Sequence, residues 1–274
     1  MNYKAICLIC FNLAVIFPAS ALEICGDIKQ GELLVFKDFA DSVSELRINS
    51  KKYPITQDGY AIAAISRDEK KLIIKTDGNA FERTLEVAPT RWDIQKINGV
   101  NPAKVTPGKD FADEIAREQK DVAKALQTMQ RGDYWREGFI EPLKGRISGN
   151  FGNQRIFNGI KKNPHSGTDI AAPEASEVKA SSSGKVILSG KNYFYTGNMV
   201  IIDHGQGLQT IYAHLKEAKV NEGDEVNKGD VIGLVGHTGR ATGPHLHWGA
   251  SLNNIRFRPH SLLDINNKNC RKIK

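Results

Sequence analysis

Between residues 32 and 87 the apolar positions fall in short runs separated by turn residues. Phe81, Leu85 and Val87 alternate with Glu82, Thr84 and Glu86, a period of two that predicts strand. Residues 33–36, 60–65 and 71–76 read the same way, and Asp77-Gly78 between 71–76 and the 81–87 strand is a hairpin signal. After a connector over 92–107 the period changes. Phe111, Ile115, Val122, Leu126 and Met129 take helical spacing, opposite Asp113, Glu114, Arg117, Lys120, Asp121 and Lys124. Thr106 is the expected N-cap, Pro107 suits the first turn, and Arg131-Gly132 marks the end. From residue 139 onward strands return, over 185–188, 199–203, 208–214, 231–235 and 245–251.

The expected fold class is mainly β: a small N-terminal β domain (22–105), a linker helix (106–138), a C-terminal antiparallel β-sheet domain with an open groove (139–265) and a basic tail (266–274). The first 21 residues stand apart. Lys4, an apolar stretch and Ala19-Ser20-Ala21 form an export-signal pattern, with cleavage expected after Ala21. Lipid attachment at Cys25 is disfavoured because Ile24 precedes it. No later apolar run is long enough to span a bilayer, so no transmembrane segment is expected after cleavage.

Composition refines the class. Hydrophobic residues make up 40% and charged residues 25%, enough for a folded core. The formal charge is +7, and loss of Lys4 with the signal leaves +6. A basic exported chain is expected near anionic envelope polymers rather than nucleic acid, and Lys268, Arg271, Lys272 and Lys274 in the tail add to that. Cleavage removes Cys7 and Cys10, leaving Cys25 and Cys270 as an even pair. In an oxidising compartment such a pair favours one disulfide over two free thiols.

All seven histidines fall between His165 and His260, which locates the chemistry. Three segments stand out: Asn163-Pro-His165-Ser-Gly-Thr-Asp169, Ile211-Tyr-Ala-His214-Leu and Gly243-Pro-His245-Leu-His247-Trp248. Imidazole nitrogen and carboxylate oxygen are the ligands of a catalytic zinc site. Residues two apart on a strand share a face, so His245 and His247 can look into one groove. No HExxH is present, which excludes the helix-borne zinc protease arrangement. His204 and His260 read as structural. A turn-strand stretch, Val220-Asn-Glu-Gly-Asp-Glu-Val-Asn-Lys-Gly-Asp-Val-Ile-Gly, has the pattern of prosthetic-group carrier domains, which export and the histidine set argue against.

With these motifs in order, residues from about 140 to 263 resemble the lysostaphin/LytM family of zinc metalloendopeptidases, which cut peptide cross-links of bacterial peptidoglycan. His165 and Asp169 match the family's HxxxD, His245 and His247 its HxH, and Tyr212-Ala-His214-Leu215 its Y-x-H-L segment. Val200-Ile-Ile-Asp-His-Gly205 and Gly236-His-Thr-Gly-Arg-Ala-Thr-Gly-Pro244 are also family-like. The resemblance implies one Zn2+ held by His165, Asp169 and His247, with His245 as base and His214 as oxyanion stabiliser. Arg155 is a candidate for binding a substrate carboxylate, and Asn198 for orienting substrate. His237 stands where many members have Asn, and Gly249 where many have Glu.

The β domain and connector resemble the N-terminal region of some Gram-negative members, which implies a periplasmic location; otherwise the cell wall is expected. The implied partners are peptidoglycan stem peptides and envelope regulators, and the implied cut is a D,D cross-link. The alternative is a non-catalytic relative that activates a wall amidase. Such proteins lose ligands, and all five key residues are present here. The β domain, lacking chemistry of its own, is also a candidate inhibitory lid over the groove.

Overall fold

In a computed structural model of the chain, residues 22–40, 43–77 and 81–273 are described. The export-signal pattern, Gly78 and Lys274 lie outside them. Within the described residues no helix is long and apolar enough to cross a membrane.

The molecule is mainly β, as the alternation predicts. The N-terminal part contains β1 (Leu22–Cys25), β2 (Leu33–Lys37), β3 (Glu45–Ile48), β4 (Lys51–Pro54), β5 (Ala61–Ala64), β6 (Lys71–Thr76) and β7 (Glu82–Glu86). Strand β8 (Ile94–Ile97) and the helices α1 (Pro102–Val105) and α2 (Ala112–Ala125) follow. Next come β9 (Arg146–Gly149), β10 (Gln154–Phe157), β11 (Ile160–Lys161), β12 (Gly167–Ala171), β13 (Glu177–Lys179), β14 (Gly184–Tyr193) and β15 (Gly197–Asp203). The last are β16 (Leu208–Ala218), β17 (Glu225–Val226), β18 (Val231–Val235), β19 (His245–Leu252), β20 (Ile255–Phe257) and β21 (Cys270–Ile273).

The large sheet runs β17-β14-β15-β16-β19-β12-β9, with β18 pairing β16 and β13, and β20 pairing β19. One face of β19 presents Leu246, Trp248, Ala250 and Leu252, all fully buried. They belong to a continuous core that also holds Leu33, Phe36, Leu46, Tyr53 and Ile62 of the N-terminal sheets. Those two sheets, ordered β21-β1-β2-β5 and β4-β3-β6-β7, therefore pack on the back of the large sheet, where β5 meets β19 and β20. The opposite face carries His245 and His247.

Both ends of the long helix depart from expectation. Thr106 does not cap the long helix. It ends α1, whose N-cap is Asn101, the side chain accepting from the Ala103 N–H. Pro107 and Gly108 separate the two, and a 3-10 turn over Lys109–Phe111 leads into α2. The long helix also stops early: Thr128 Oγ1 donates to the Ala125 carbonyl at 2.6 Å and the Gln130 N–H to Asp203 at 3.2 Å, so the chain leaves helical bonding before Met129, which is half exposed. Val122, Ala125 and Leu126 cover Leu188, Met199, Ile201, Ile211 and Ala213 on the groove face.

Within the basic tail, Cys270–Ile273 form β21, an antiparallel partner of β1, and Cys25 and Cys270 are register partners joined by the disulfide that the even cysteine pair favours. Among the described residues, none before Gln95 lines the groove, so strands β1–β7 do not form a lid over it. The connector supplies a wall instead. Strand β8 lies parallel to β10, and Val100, Val105 and Phe157 close a small cluster behind it.

Candidate metal centre and its groove

Register brings the ligand candidates together. Asp169 on β12 is the cross-strand partner of His247 on β19, and Ala213 on β16 faces His247 from the other side. Cross-strand partners share a face, so the carboxylate and imidazole project into the same groove. His165 sits just before β12 and is gripped by the β9–β10 turn. Its N–H donates to the Asn153 carbonyl, its carbonyl accepts from Gly152, and Nδ1 lies 3.0 Å from the Asn150 carbonyl. A carbonyl only accepts, so Nδ1 carries the proton and Nε2 presents a lone pair.

The three donor atoms form a triangle. His165 Nε2 to Asp169 Oδ1, His247 Nδ1 to Asp169 Oδ1 and His165 Nε2 to His247 Nδ1 are each 3.0 Å. That is near the roughly 3.3 Å edge of a tetrahedron with bonds of about 2.0 Å, the geometry of zinc with N and O ligands. Two imidazole nitrogens and one carboxylate oxygen, all buried or nearly so, fit a divalent transition metal and leave a fourth position for water.

Electrostatics keep the set ready for a cation. Burial pushes Asp169 upward, but the adjoining His165 and His247 imidazoles outweigh it and hold the carboxyl well below its ordinary value. Burial pushes His247 down to about 4 against its hydrogen bond to Asp169. The second Asp169 oxygen is 2.5 Å from Arg155 Nη2. Sequence reasoning gave Arg155 a substrate carboxylate; the structure instead buries it against Asp169. Two glycines make room for this packing. A Cβ at Gly149 would lie 2.7 Å from both Arg155 Nη2 and Asp169 Oδ2, and one at Gly167 2.7 Å from His247 Nε2.

His214 reaches the groove through a bulge. Strand partners run Val200 to Tyr212 and then Asn198 to Leu215, so two residues oppose one and His214 takes a left-handed φ of 64°. Without it, alternation would turn His214 away from Ala213's face. Its ring centre is 4.8 Å from His245 and 6.0 Å from His247. Nδ1 of His214 meets the Thr238 carbonyl at 2.9 Å, and Nδ1 of His245 the Gly243 carbonyl at 2.8 Å. Burial, with the neighbouring His245 and His247, lowers His214 to about 3.

The remaining candidates fall elsewhere. Asn198 does not face the groove: its Oδ1 accepts from the Asn192 N–H and its Nδ2 donates to the Lys216 carbonyl, so it clamps strands. His204 is buried between the Ser183 carbonyl and Thr210, His237 is an exposed neighbour of Glu174, and His260 packs on Trp248. Sequence reasoning missed Gly149, Gly167, Thr238 and the Asn150 carbonyl. Gly167 is visible in the 163–169 motif, but the need for both glycines lies in partners that only register reveals.

The centre floors a groove of about 1030 Å³ lined by β8, α2, β10 and the 236–244 loop. The HxxxD and HxH residues thus meet on one face of a mainly antiparallel sheet, in a set that could hold a metal ion. Residues 163–259 match Peptidase family M23. A crystal structure of a candidate peptidase M23 from Pseudomonas aeruginosa superposes over 88% of this chain and 97% of that one, with 28% identity and a TM-score of 0.67. The peptidoglycan DD-endopeptidase ShyA of Vibrio cholerae is 42% identical over 124 residues, 45% of this chain. The DD-carboxypeptidase/endopeptidase Mpg of Neisseria meningitidis is 44% identical over 124 residues. The matched part spans 28% of the length of each of these two relatives.

Proposed function

We propose that the chain is an exported zinc endopeptidase that hydrolyses peptide cross-links of bacterial peptidoglycan, with a D,D bond between stem peptides as its target. The observation that carries this reading is the 3.0 Å triangle of His165, Asp169 and His247 donor atoms with two further imidazoles beside it. The names of the V. cholerae and N. meningitidis relatives support the bond class. The Cys25–Cys270 disulfide supports an oxidising compartment, and the N-terminal export pattern supports the periplasm.

His165, Asp169 and His247 would hold the zinc, which when bound supplies an acidified water and a Lewis acid for the scissile carbonyl. The chain's own groups do the rest. With Nδ1–H tied to the Gly243 carbonyl, His245 turns a bare Nε2 towards the centre, 3.9 Å from Asp169 Oδ1, where it takes a proton from the attacking water. His214, kept neutral by burial, becomes a donor only once protonated, a form that negative charge developing on the carbonyl oxygen favours. The β8 wall and α2 flank the groove and hold an extended peptide across the centre.

The test is digestion of purified peptidoglycan by the chain lacking residues 1–21, with products identified by mass. Zinc-dependent loss of cross-linked muropeptides by the wild type, absent from His247→Ala, is expected. Intact cross-links after treatment with the zinc-loaded chain would overturn the reading.

A further inference from the structure

The groove is markedly cationic. Its lining includes Arg146, Arg155, Lys161, Lys162 and Arg240, and Asp169 is its one carboxylate among the described residues. Arg155 is consumed by Asp169. Arg240 differs from the rest in being held in place. Its guanidinium lies 4.7 Å from the centre of the Phe157 ring and 4.5 Å from that of Tyr195. Its backbone N–H donates to the Tyr195 carbonyl at 2.9 Å, and Nη1 makes one long contact, 3.5 Å, to the Lys104 carbonyl. Among the described residues no carboxylate pairs with it.

The backbone fixes this placement. Gly239, at φ 73°, is pressed so closely on the chain at Tyr195–Gly197 that a Cβ would lie 2.4 Å from the Gly197 nitrogen and 2.5 Å from the Tyr195 carbonyl. The next residue therefore enters the groove at a set height. The same loop fixes both catalytic candidates, since Thr238 holds His214 and Gly243 holds His245. Arg240 lies between these anchors, so its charge is tied rigidly to the two imidazoles.

A guanidinium contacted by two aromatic rings keeps its edge N–H groups, which match a carboxylate in a fork. Ring contact compensates part of its desolvation, and lost side-chain freedom need not be lost again on binding. A half-buried cation with five donors and one long hydrogen bond has an unmet need for an anion.

We propose that Arg240 is a specificity-determining residue that binds a free carboxylate of the peptide beside the scissile bond, so that the groove selects acidic peptides. The proposal rests on the reading of the groove as a peptidase site and adds the chemical feature it recognises. The chain then distinguishes a peptide with free carboxyls from one in which they are amides. Arg146, Lys161 and Lys162 strengthen the field without fixing the contact.

The test uses a cross-linked peptide dimer freed from peptidoglycan, and the same dimer with its carboxyls converted to primary amides. Cleavage of both is measured with the zinc-loaded chain and with Arg240→Gln and Arg240→Lys. Binding is measured by calorimetry in a zinc-loaded His245→Ala background. The wild type is expected to favour the acid dimer by about 10- to 100-fold in kcat/KM and in Kd, the range of a hydrogen bond to a charged group. Arg240→Gln should lose that preference and Arg240→Lys keep part of it. Equal treatment of the two dimers by the wild type overturns the proposal, as does an acid preference that survives Arg240→Gln. A purely structural Arg240 would lower both dimers by the same factor, and this too overturns it. If neither dimer is cut but the binding preference is present and depends on Arg240, the peptidase reading falls and the carboxylate site stands. If neither dimer binds, both fall.

Discussion

At the scale of single residues the centre depends on groups that never touch an ion. Arg155 holds the outer oxygen of Asp169, and Gly149 leaves space for both. Partners that orient ligands typically contribute 10–100-fold to metal affinity. Arg155→Met is therefore expected to weaken zinc binding by about that factor, measured by competition with a chelating dye. Gly149→Ala should act in the same direction, and unchanged affinity in both would remove Arg155 from the site's support. A different histidine governs acid stability. His204 is buried between the Ser183 carbonyl and Thr210, and burial lowers it to about 4 from an ordinary 6.5. Between those values the unfolded chain binds a proton that the folded chain refuses. Its contribution is thus complete above about 6.5 and lost as pH falls towards 4, by about 3 kcal/mol. Urea unfolding of the metal-free chain across that interval should show a smaller pH dependence in His204→Gln than in the wild type; equal slopes would exclude this histidine as the cause.

At the scale of elements the deciding feature is the β9–β10 turn, because it grips His165 at three points. The connector in turn grips the turn. Trp92 lies on Gly152, where a Cβ would come within 2.3 Å of the ring, Asn153 Oδ1 accepts from the Asp93 N–H, and Arg67 Nε donates to the Gly152 carbonyl. Trp92→Ala is expected to loosen the turn and lower zinc affinity by about tenfold. Dye competition, with the melting temperature of the metal-free protein as control, separates this from simple destabilisation. These contacts mark the boundary of what sequence reveals. Strand alternation alone puts His245 and His247 on one face, while the division into ligands and catalytic pair is what the family resemblance implies. For Arg155 and Asn198, a polar side chain near a groove strand gives no sign of which neighbour claims it. His214 reaches the groove through a bulge that no local periodicity encodes. The long helix is legible in its hydrophobic spacing, but its C-terminal end is not, since the Thr128 hydroxyl takes the Ala125 carbonyl and Asp203, on a distant strand, takes the Gln130 N–H.

At the scale of the whole molecule the question is whether the N-terminal sheets and the large sheet behave as separate bodies. The pattern of short strands, helix, then strands suggests two domains, but the core is shared: Leu33, Phe36 and Ile62 belong to the same buried cluster as Trp248, Leu252 and Phe257. Polar contacts cross the same seam. The Leu33 N–H donates to Ser261 Oγ at 2.8 Å, and Arg258 pairs with Glu32. Strand β21 and the disulfide then close the chain on itself over a sequence separation of 245 residues. A crosslink of that span restricts mainly the unfolded chain, and removal of such a bond costs about 2–5 kcal/mol. We therefore expect one cooperative unfolding transition, shifted to lower denaturant in Cys25→Ser/Cys270→Ser by that amount with little change in slope. The groove lining starts at Gln95 and ends at His247, so the variant should keep its cleavage rate at denaturant concentrations where it remains folded. Two resolved transitions would show that the shared core does not couple the sheets. A cleavage rate that falls in the folded variant would show instead that the staple between β1 and β21 acts on the groove, through the core that joins β5 to β19.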